Sequence, residues 1–209
     1  VRSSAASDVY KRQILPKHLE IGHYRIEEVT APDGYVVNKN YVEITVDSDT
    51  AYEVDGVSGD VIIEVSYEDQ PVKGNLVVYK KGEMLSGFEK DFIYKEQYLS
   101  GAEFEVRAAE DICTPDHQKD ADGNRIVLYA KDTLVTTITT GESGKAVAKD
   151  LPLGRYYVVE TKAPEGFVLN PEPVTVALTY QDQETPVVEA EAMVGNDRQK
   201  VSILSLIHI

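Results

Sequence analysis

The stretch that decides the fold is Gly154–Phe167, which reads GRYYVVETKAPEGF. Its first residues alternate as a β-strand does, with Tyr156, Val158 and Glu160 on one face. Ala-Pro-Glu-Gly then ends the strand, because proline fixes φ and glycine permits a positive φ. Glu160 is the unusual residue, since an ionised carboxylate on an apolar strand face is costly to bury. Either the strand ends there and Glu160 points to solvent, or the carboxyl group is buried.

The same pattern occurs earlier in the chain. Gly22–Tyr35 reads GHYRIEEVTAPDGY and lies at an offset of 132 (154 − 22). That offset places Glu28 at the position of Glu160 and Asn38 at the position of Asn170. A repeat of this length is the size of a domain and exceeds the period of solenoid repeats. Because Glu28 repeats the unusual carboxylate, the pattern favours burial of Glu160 over exposure.

Composition limits the class of protein. A chain of 209 residues predicts one or two domains. The net charge of −15 argues against binding to nucleic acid or to an anionic membrane surface. The single cysteine, Cys113, excludes an internal disulfide framework and a cysteine-rich zinc site, so a secreted form of this protein needs another source of stability. The four histidines show no metal-ligand spacing, and we expect no cofactor or metal.

Abundant tyrosine and β-branched residues, with turn residues at short intervals, predict an all-β fold. The strand patterns cover Glu20–Thr30, Tyr41–Val46, Val61–Tyr67, Asn75–Lys80, Ala102–Ala108, Ile126–Ala130, Thr133–Thr140, Lys145–Asp150, Gly154–Thr161, Val174–Tyr180 and Val187–Val194. Short strands at this spacing are typical of a β-sandwich. Lys81–Ser100 is polar and interrupted, which predicts a long loop or a short helix. No segment has the apolar length of a membrane span.

A second repeated feature marks unit boundaries. Residues 69–76 align with residues 196–203 at an offset of 127 (196 − 69). We therefore expect residues 14–72 to be the C-terminal part of one domain, called here the first unit. Residues 73–200, called the second unit, are expected to be a complete domain. Residues 201–209 would combine the start of a third repeat with a terminal tail.

The two ends of the chain do not fit this pattern. Residues 1–13 show neither strand alternation nor the apolar region of a signal peptide. They resemble translated sequencing-adapter ends attached to a gene fragment, as do residues 204–209. The alternative is a natural flexible tail at each end. On either interpretation we expect both ends to lie outside the packed fold.

These sequences resemble the SpaA-type, or Cna B-type, domains of Gram-positive surface proteins and pilins. The resemblance runs from about His18 to Ile203. It is carried by LPLGRYYVVE at 151–160 with APEGF at 163–167, by SGAEFEV at 100–106, and by GNLVVYK at 74–80. It implies a prealbumin-like Greek-key β-sandwich. It also implies an intramolecular isopeptide bond between a lysine on the first strand and an Asn or Asp on the last, promoted by a glutamate.

By position, the resemblance implies Lys80 as the amine, Asn196 as the acceptor and Glu160 as the promoter. An amine attacks only when it is neutral, and burial lowers the pKa of a lysine. A buried carboxylic acid that keeps its proton can hydrogen-bond the side-chain carbonyl of Asn and stabilise the charge that develops there. Lys81 competes with Lys80 for the role of the amine, and the alternative is that Lys80 and Asn196 are strand-end surface residues.

The first unit departs from this pattern. Glu28 and Asp69 occupy the promoter and acceptor positions, and an Asp acceptor would release water instead of ammonia. The strand that would carry the amine is missing, and Lys11 and Lys17 do not replace it.

The resemblance implies a non-enzymatic stalk segment of a secreted, wall-anchored adhesin or pilin on the outer cell surface. Its partners would be neighbouring repeats of the same chain. The alternative is a module that binds a glycan or a host matrix protein through Lys81–Ser100 and Thr114–Arg125. In those segments Tyr94 and Tyr98 either stack on sugars or pack against the sandwich. A third class is a hydrolytic enzyme with paired carboxylates, but the acidic residues are scattered over loops and turns without convergence.

Overall fold

The computed structural model describes residues 19–47, 53–54, 61–62, 65, 68–115 and 119–202. The expectations for residues 1–13 and 204–209 lie outside these described residues. Within the described part of the chain, no helix has the length and apolar character needed to cross a membrane.

The first unit contains short antiparallel strand pairs. Its strands are β1 (Gly22–Glu27), β2 (Tyr35–Val36), β3 (Tyr41–Val46), β4 (Glu53–Val54), β5 (Val61–Ile62) and β6 (Gln70–Pro71). β1 pairs with β3, β2 with β6, and β4 with β5. The predicted strand Tyr41–Val46 is confirmed, whereas Glu20–Thr30 is shortened to β1. Only the first two residues of the predicted strand Val61–Tyr67 are in a described strand.

The described residues of the second unit form ten strands. They are β7 (Lys73–Phe88), β8 (Phe92–Tyr98), β9 (Glu103–Ala108), β10 (Ile112–Cys113), β11 (Val127–Tyr129), β12 (Leu134–Thr139), β13 (Lys145–Pro152), β14 (Gly154–Lys162), β15 (Val174–Leu178) and β16 (Val187–Asn196). One sheet has the order β12-β9-β14-β15, and the other has β13-β7-β16 with β8 paired to β7. The first and last strands, β7 and β16, run parallel, with Lys73 opposite Val187 and Gly82 opposite Asn196.

Both sheets contribute to one apolar core. Alternate residues of the central strands point inward because successive side chains of a strand face opposite sides. The core residues include Leu76, Val78, Phe104, Val106, Tyr156, Val158, Leu178 and Val194. The predicted all-β sandwich is therefore confirmed.

The prediction for Lys81–Ser100 is wrong. β7 continues to Phe88, and β8 returns beside it as a long hairpin. Beyond Gly82 both faces of this hairpin are mostly exposed. A ribbon that leaves the sandwich has no buried face, so its sequence lacks the alternation that identifies a strand.

The sequence repeat is also a structural repeat. β1 and β3 pair with Gly22 opposite Val46, and their counterparts β14 and β15 pair with Gly154 opposite Leu178. The junctions match as well, because Val72 donates its N–H to the Gly34 carbonyl at 2.8 Å and Gln199 donates to the Gly166 carbonyl at 2.8 Å. The offsets of 132 and 127 therefore describe equivalent backbone positions.

Candidate functional site

Lys80 is a cation buried inside the sandwich. It follows Leu76 and Val78 on the inward face of β7, and its exposed fraction is 0%. Strand alternation dictates this placement, since the side chain of every second residue enters the core. Its backbone is held on both sides, because its N–H donates to the Gly144 carbonyl at 2.8 Å and its carbonyl accepts from Leu99 at 2.9 Å. Its ammonium nitrogen lies 5.6 Å from the centre of the Phe104 ring.

Glu160 enters the core from the opposite sheet. It follows Tyr156 and Val158 along the inward face of β14 and is 3% exposed. The alternative that Glu160 points to solvent is therefore wrong. Its carboxyl group lies within the sandwich, where hydrogen bonds or ion pairs must offset the free energy lost on removal from water.

Asn196 completes the cluster from the last strand. Val194 lies directly opposite Lys80 in the parallel β7–β16 pair, and Asn196 is two residues farther along the same face. Its exposed fraction is 8%. The first and last strands of the second unit thus bring an amine and a carboxamide to one point in the core.

The three side chains contact one another directly. Lys80 Nζ lies 2.8 Å from Glu160 Oε1. Lys80 also donates to Asn196 Oδ1. The Asn196 amide nitrogen donates to Glu160 Oε1 at 3.0 Å and to Oε2 at 2.9 Å. A lysine, a glutamate and an asparagine therefore serve as hydrogen-bond and ionic partners for one another inside an otherwise apolar core.

The orientation of the Asn196 amide differs from the sequence-based expectation. We expected the acid to bond the carbonyl oxygen, but Glu160 accepts from the amide nitrogen and the oxygen faces Lys80. An ammonium has only donors and a carboxylate has only acceptors, so an ion pair orients the amide between them in this way. A rotation of the amide about its last side-chain bond exchanges the two contacts.

Burial changes the proton affinity of the amine. Desolvation lowers the pKa of Lys80 from its ordinary value, and the hydrogen bond and charge of Glu160 oppose that shift. Removal from water disfavours the ammonium form, so burial increases the fraction of neutral amine.

Lys81 points away from this cluster. Its ammonium lies 3.4 Å from Glu96 at the surface and 5.2 Å from the Tyr98 ring centre. The two adjacent lysines therefore have opposite orientations, and only Lys80 contacts Glu160 and Asn196.

Asn170 supports the cluster and has a role that sequence reasoning missed. Its backbone N–H donates to Glu160 Oε2 at 2.8 Å, and its side-chain nitrogen donates to the Gly195 carbonyl at 3.1 Å. It thus ties the Glu160 carboxyl to the end of β16. The available signal was its alignment with Asn38 in the repeat.

The first unit carries the same arrangement without a described amine. Asn38 donates its N–H to Glu28 Oε2 at 2.6 Å and its side-chain amide to the Glu68 carbonyl at 3.1 Å. Burial, followed by the charge of Asp69 and a hydrogen bond to it, raises the pKa of Glu28, while the Asn38 N–H opposes the shift. Asp69 Oδ1 is buried and has no hydrogen-bond partner among the described residues.

The structure places the other candidate residues outside the cluster. Tyr94 is covered by Arg198, whose guanidinium carbon lies 3.3 Å from the ring centre, and Tyr98 is exposed beside Tyr79. Within the described ranges, no group of three or more His, Cys, Asp or Glu side chains is arranged to hold a metal ion.

The SpaA family, described as a prealbumin-like fold domain, matches residues 10–59 and 88–192 of this chain. Together these residues form more than half of the chain. The chain belongs to the SpaA family. The resemblance and the prealbumin-like fold expected from the sequence are thereby confirmed. The match includes Glu28 and Glu160, whereas Lys80 and Asn196 lie outside the matched residues.

Several solved structures are similar to this SpaA-family chain. The Bacillus anthracis TIE protein is 24% identical over 86% of this chain and 26% of its own, with a TM-score of 0.49. The full-length major pilin SpaD of Corynebacterium diphtheriae is 26% identical over 60% of this chain and 30% of its own, with a TM-score of 0.38. The group B streptococcus pilus 2b backbone protein is 21% identical over 76% of this chain and 56% of its own, with a TM-score of 0.36.

The chain thus spans less than a third of the length of the first two of these proteins. A comparison with curated proteins finds no match.

Proposed function

We propose that this chain is a non-enzymatic stalk segment of a secreted, wall-anchored surface protein. In this proposal residues 14–72 are the end of one domain and residues 73–200 are a complete second domain. An isopeptide bond between Lys80 and Asn196 joins the first and last strands of the second domain. The observation that carries the proposal is the contact of Lys80, Glu160 and Asn196 within the buried core.

The reaction begins with a proton transfer. Ionised Lys80 and Glu160 are expensive to keep in an apolar core. Their separation of 2.8 Å allows the ammonium to pass a proton to the carboxylate, which leaves a neutral amine and a neutral acid. The amide of Asn196 then turns so that the acid donates to its carbonyl oxygen, because a protonated carboxyl group is a donor.

The amine then attacks the side-chain carbonyl carbon of Asn196. Glu160 stabilises the negative charge that develops on the oxygen, as an oxyanion-binding donor does. The bond from that carbon to the amide nitrogen breaks, and the nitrogen leaves as ammonia with the proton that the attacking amine releases. One lysine amine and one carboxamide give one secondary amide and one ammonia, so no oxidant or cofactor is needed.

The positions of Glu28 and Asp69, which match those of Glu160 and Asn196, extend the proposal to the first domain. There Glu28 would act as promoter and Asp69 as acceptor, and an amine that joined Asp69 would release water. The unpartnered, buried Oδ1 of Asp69 and the raised pKa of Glu28 support this assignment.

Intact-mass measurement tests the bond. The purified chain should weigh less than its calculated mass by one ammonia. Glu160→Ala should restore the full calculated mass while the chain stays folded, because both reactants remain but the promoter is gone.

Lys81→Ala is the matched control, and it should still lose one ammonia because Lys81 lies at the surface. A folded wild-type chain that keeps its full calculated mass would show that no bond forms.

A second candidate function is that of an adhesin module that binds a glycan or host matrix protein. It is favoured by the hairpin tip, where Phe88 and Phe92 are 67% and 63% exposed with ring centres 5.2 Å apart. Binding of the purified chain to immobilised matrix proteins and glycans tests it. Replacement of both phenylalanines by serine should abolish that binding without changing the intact-mass result.

A further inference from the structure

The contact between the two units is organised around one glutamine. Gln183 lies in the turn between β15 and β16, at the end of the second unit that faces the first. Its Oε1 accepts from the Ala31 N–H at 3.0 Å, and its Nε2 donates to the Val29 carbonyl at 3.3 Å. Its own backbone carbonyl accepts from the Val37 N–H at 2.9 Å. One residue thus makes three hydrogen bonds to the backbone of a single loop.

Part of this loop, residues 29–39 of the first unit, is buried where it meets the second unit. Ala31 and Val37 are only 6% and 8% exposed. A Cβ atom added to Gly34 would lie 2.4 Å from Cβ of Pro115, so the second unit approaches the turn at a distance that only glycine permits. The loop therefore packs closely against the end of the second unit that carries Pro115 and Gln183.

The second unit carries an equivalent loop at its other end, residues 161–171. The local structure is the same: Tyr35 donates its N–H to the Pro32 carbonyl at 3.0 Å, and Phe167 donates to the Pro164 carbonyl at 3.1 Å. The two turn glycines have matching φ values, +87° at Gly34 and +82° at Gly166.

The surroundings of the two loops differ. Leu169, the counterpart of buried Val37, is 43% exposed, and its neighbour Val168 is 51% exposed. Among the described residues, no atom beyond the immediate chain neighbours of Gly166 lies within 4 Å of a Cβ added there, in contrast to Gly34. Within the described part of the chain, the second loop therefore has the same structure as the first but lacks its cover.

We propose that residues 161–171 form a docking surface for a further copy of the second unit. The part that docks is the end of the domain that carries Pro115 and Gln183. The observed contact between the two units indicates this binding partner. There the matching loop, residues 29–39, already binds the same end of the second unit. In the docked state a glutamine equivalent to Gln183 bonds Ala163 and Leu169, and a proline equivalent to Pro115 contacts Gly166. The proposal rests on the stalk function proposed above and names the contact through which successive domains are joined.

The chemistry of the loop predicts a contact that is mainly apolar. In the observed junction Lys39 also forms an ion pair with Glu184. The counterpart of Lys39 is Pro171, so that pair has no equivalent at the second loop. Exposed ion pairs contribute little, so the docked state depends on the glutamine hydrogen bonds and the apolar contacts.

A tandem chain tests this surface. Residues 1–199 are followed directly by a second copy of residues 73–209, which preserves the register of the natural junction. Amide hydrogen exchange is then compared between the original chain and the tandem. The Ala163 and Leu169 amides should exchange at least tenfold more slowly in the tandem.

Two matched variants locate the contact. Gln183→Ala in the appended copy removes the side-chain oxygen that accepts from the Ala163 amide, so that amide should return to its rate in the original chain. Gln181→Ala, a substitution of the same residue type at an exposed site, should leave the Ala163 amide slow. Unchanged exchange in the tandem, or equal effects of the two substitutions, would overturn the proposal.

A second measurement uses the original chain and does not depend on folding of the appended copy. There Gln183→Ala should accelerate exchange at Ala31, whose N–H donates to the glutamine side chain, and unaltered exchange would refute the role assigned to that side chain. The loss of ammonia is measured separately in the same samples. Failure of the isopeptide reaction is thereby distinguished from failure of docking.

Discussion

Lys80 and Lys81 are adjacent in β7, but one side chain is buried in the core and the other lies at the surface. Lys80 is enclosed with Glu160 and Asn196, whereas Lys81 lies beside Glu96 at the surface. The sequence motif could not choose between the two lysines. The choice depends on which face of β7 meets the opposite sheet, and a single position changes that face.

The two lysines should therefore differ in their contribution to stability. A bond from Lys80 to Asn196 joins residues 116 positions apart. In the chain-entropy treatment a cross-link of that span stabilises the fold by about 4–5 kcal/mol. Lys80→Met, which keeps the volume and removes the amine, should reduce the free energy of unfolding by about that amount. Denaturant unfolding measures it.

Lys81→Met is the matched substitution. An exposed ion pair is worth about 0–1 kcal/mol, so its loss should change stability only slightly. Equal effects of the two substitutions would remove Lys80 from the proposed bond.

Glu28 should make the first unit sensitive to pH. Its pKa is raised in the folded state, chiefly by burial and also by Asp69. A carboxyl group with a raised folded pKa stabilises the fold below its unfolded pKa, near 4.5, and that stabilisation is lost as pH rises through the folded value. The first unit should therefore become less stable as the solution passes from acidic toward neutral pH.

Hydrogen exchange of the β1–β3 amides across that pH range, corrected for intrinsic exchange rates, measures this effect. Glu28→Gln should abolish the pH-dependent loss of protection, because glutamine does not titrate. Glu20→Gln, at an exposed position, should leave it intact. If the wild-type protection does not fall with pH, the carboxyl pair does not control the stability of the first unit.

At the scale of strands, much of the second unit could be predicted from the sequence. The alternation along β14 placed Tyr156, Val158 and Glu160 on one face, and all three are buried. The hairpin of β7 and β8 was missed because it extends beyond the sandwich and has no buried face. Asn170 was missed as a supporting residue because its contact with Glu160 uses a backbone N–H, which any residue type provides.

Gly82 links the hairpin to the candidate site. It lies opposite Asn196 in the β7–β16 pair. A Cβ atom there would lie 2.5 Å from the Phe167 ring and 2.8 Å from Leu99. Overpacking of this kind typically costs about 1–3 kcal/mol.

Gly82→Ala should therefore lower stability and slow the loss of ammonia during refolding, because the end of β16 is displaced from Lys80. Thermal unfolding and a mass time course measure the two effects. Gly87→Ala is the control on the same strand, since no atom of the described residues lies within 4 Å of its added Cβ. A Gly82→Ala chain that reacts and melts like wild type would show that Phe167 moves aside without cost.

At the scale of the whole molecule, the order of the strands determines how force crosses the second unit. The chain enters on β7 at Lys73 and leaves on β16 at Asn196, and these parallel neighbours place entry and exit at opposite ends of the pair. Tension along a head-to-tail array therefore shears one strand past the other. The proposed bond from Lys80 to Asn196 would carry that tension directly and would leave the strands between these two residues unloaded.

Single-molecule extension should reveal this path. An unfolded residue spans about 3.4 Å, so the segment between Lys80 and Asn196 accounts for roughly 400 Å of extended chain. The wild-type chain, pulled from both ends, should never release that length, because the segment is enclosed by the bond. Asn196→Ala removes the acceptor and should release it in full. Asn170→Ala leaves both bonding partners in place, together with the backbone N–H that contacts Glu160, and should not release it. A wild-type chain that extends as far as Asn196→Ala would mean that tension crosses the second unit through hydrogen bonds alone, and the buried cluster would then stabilise the sandwich only through its contacts.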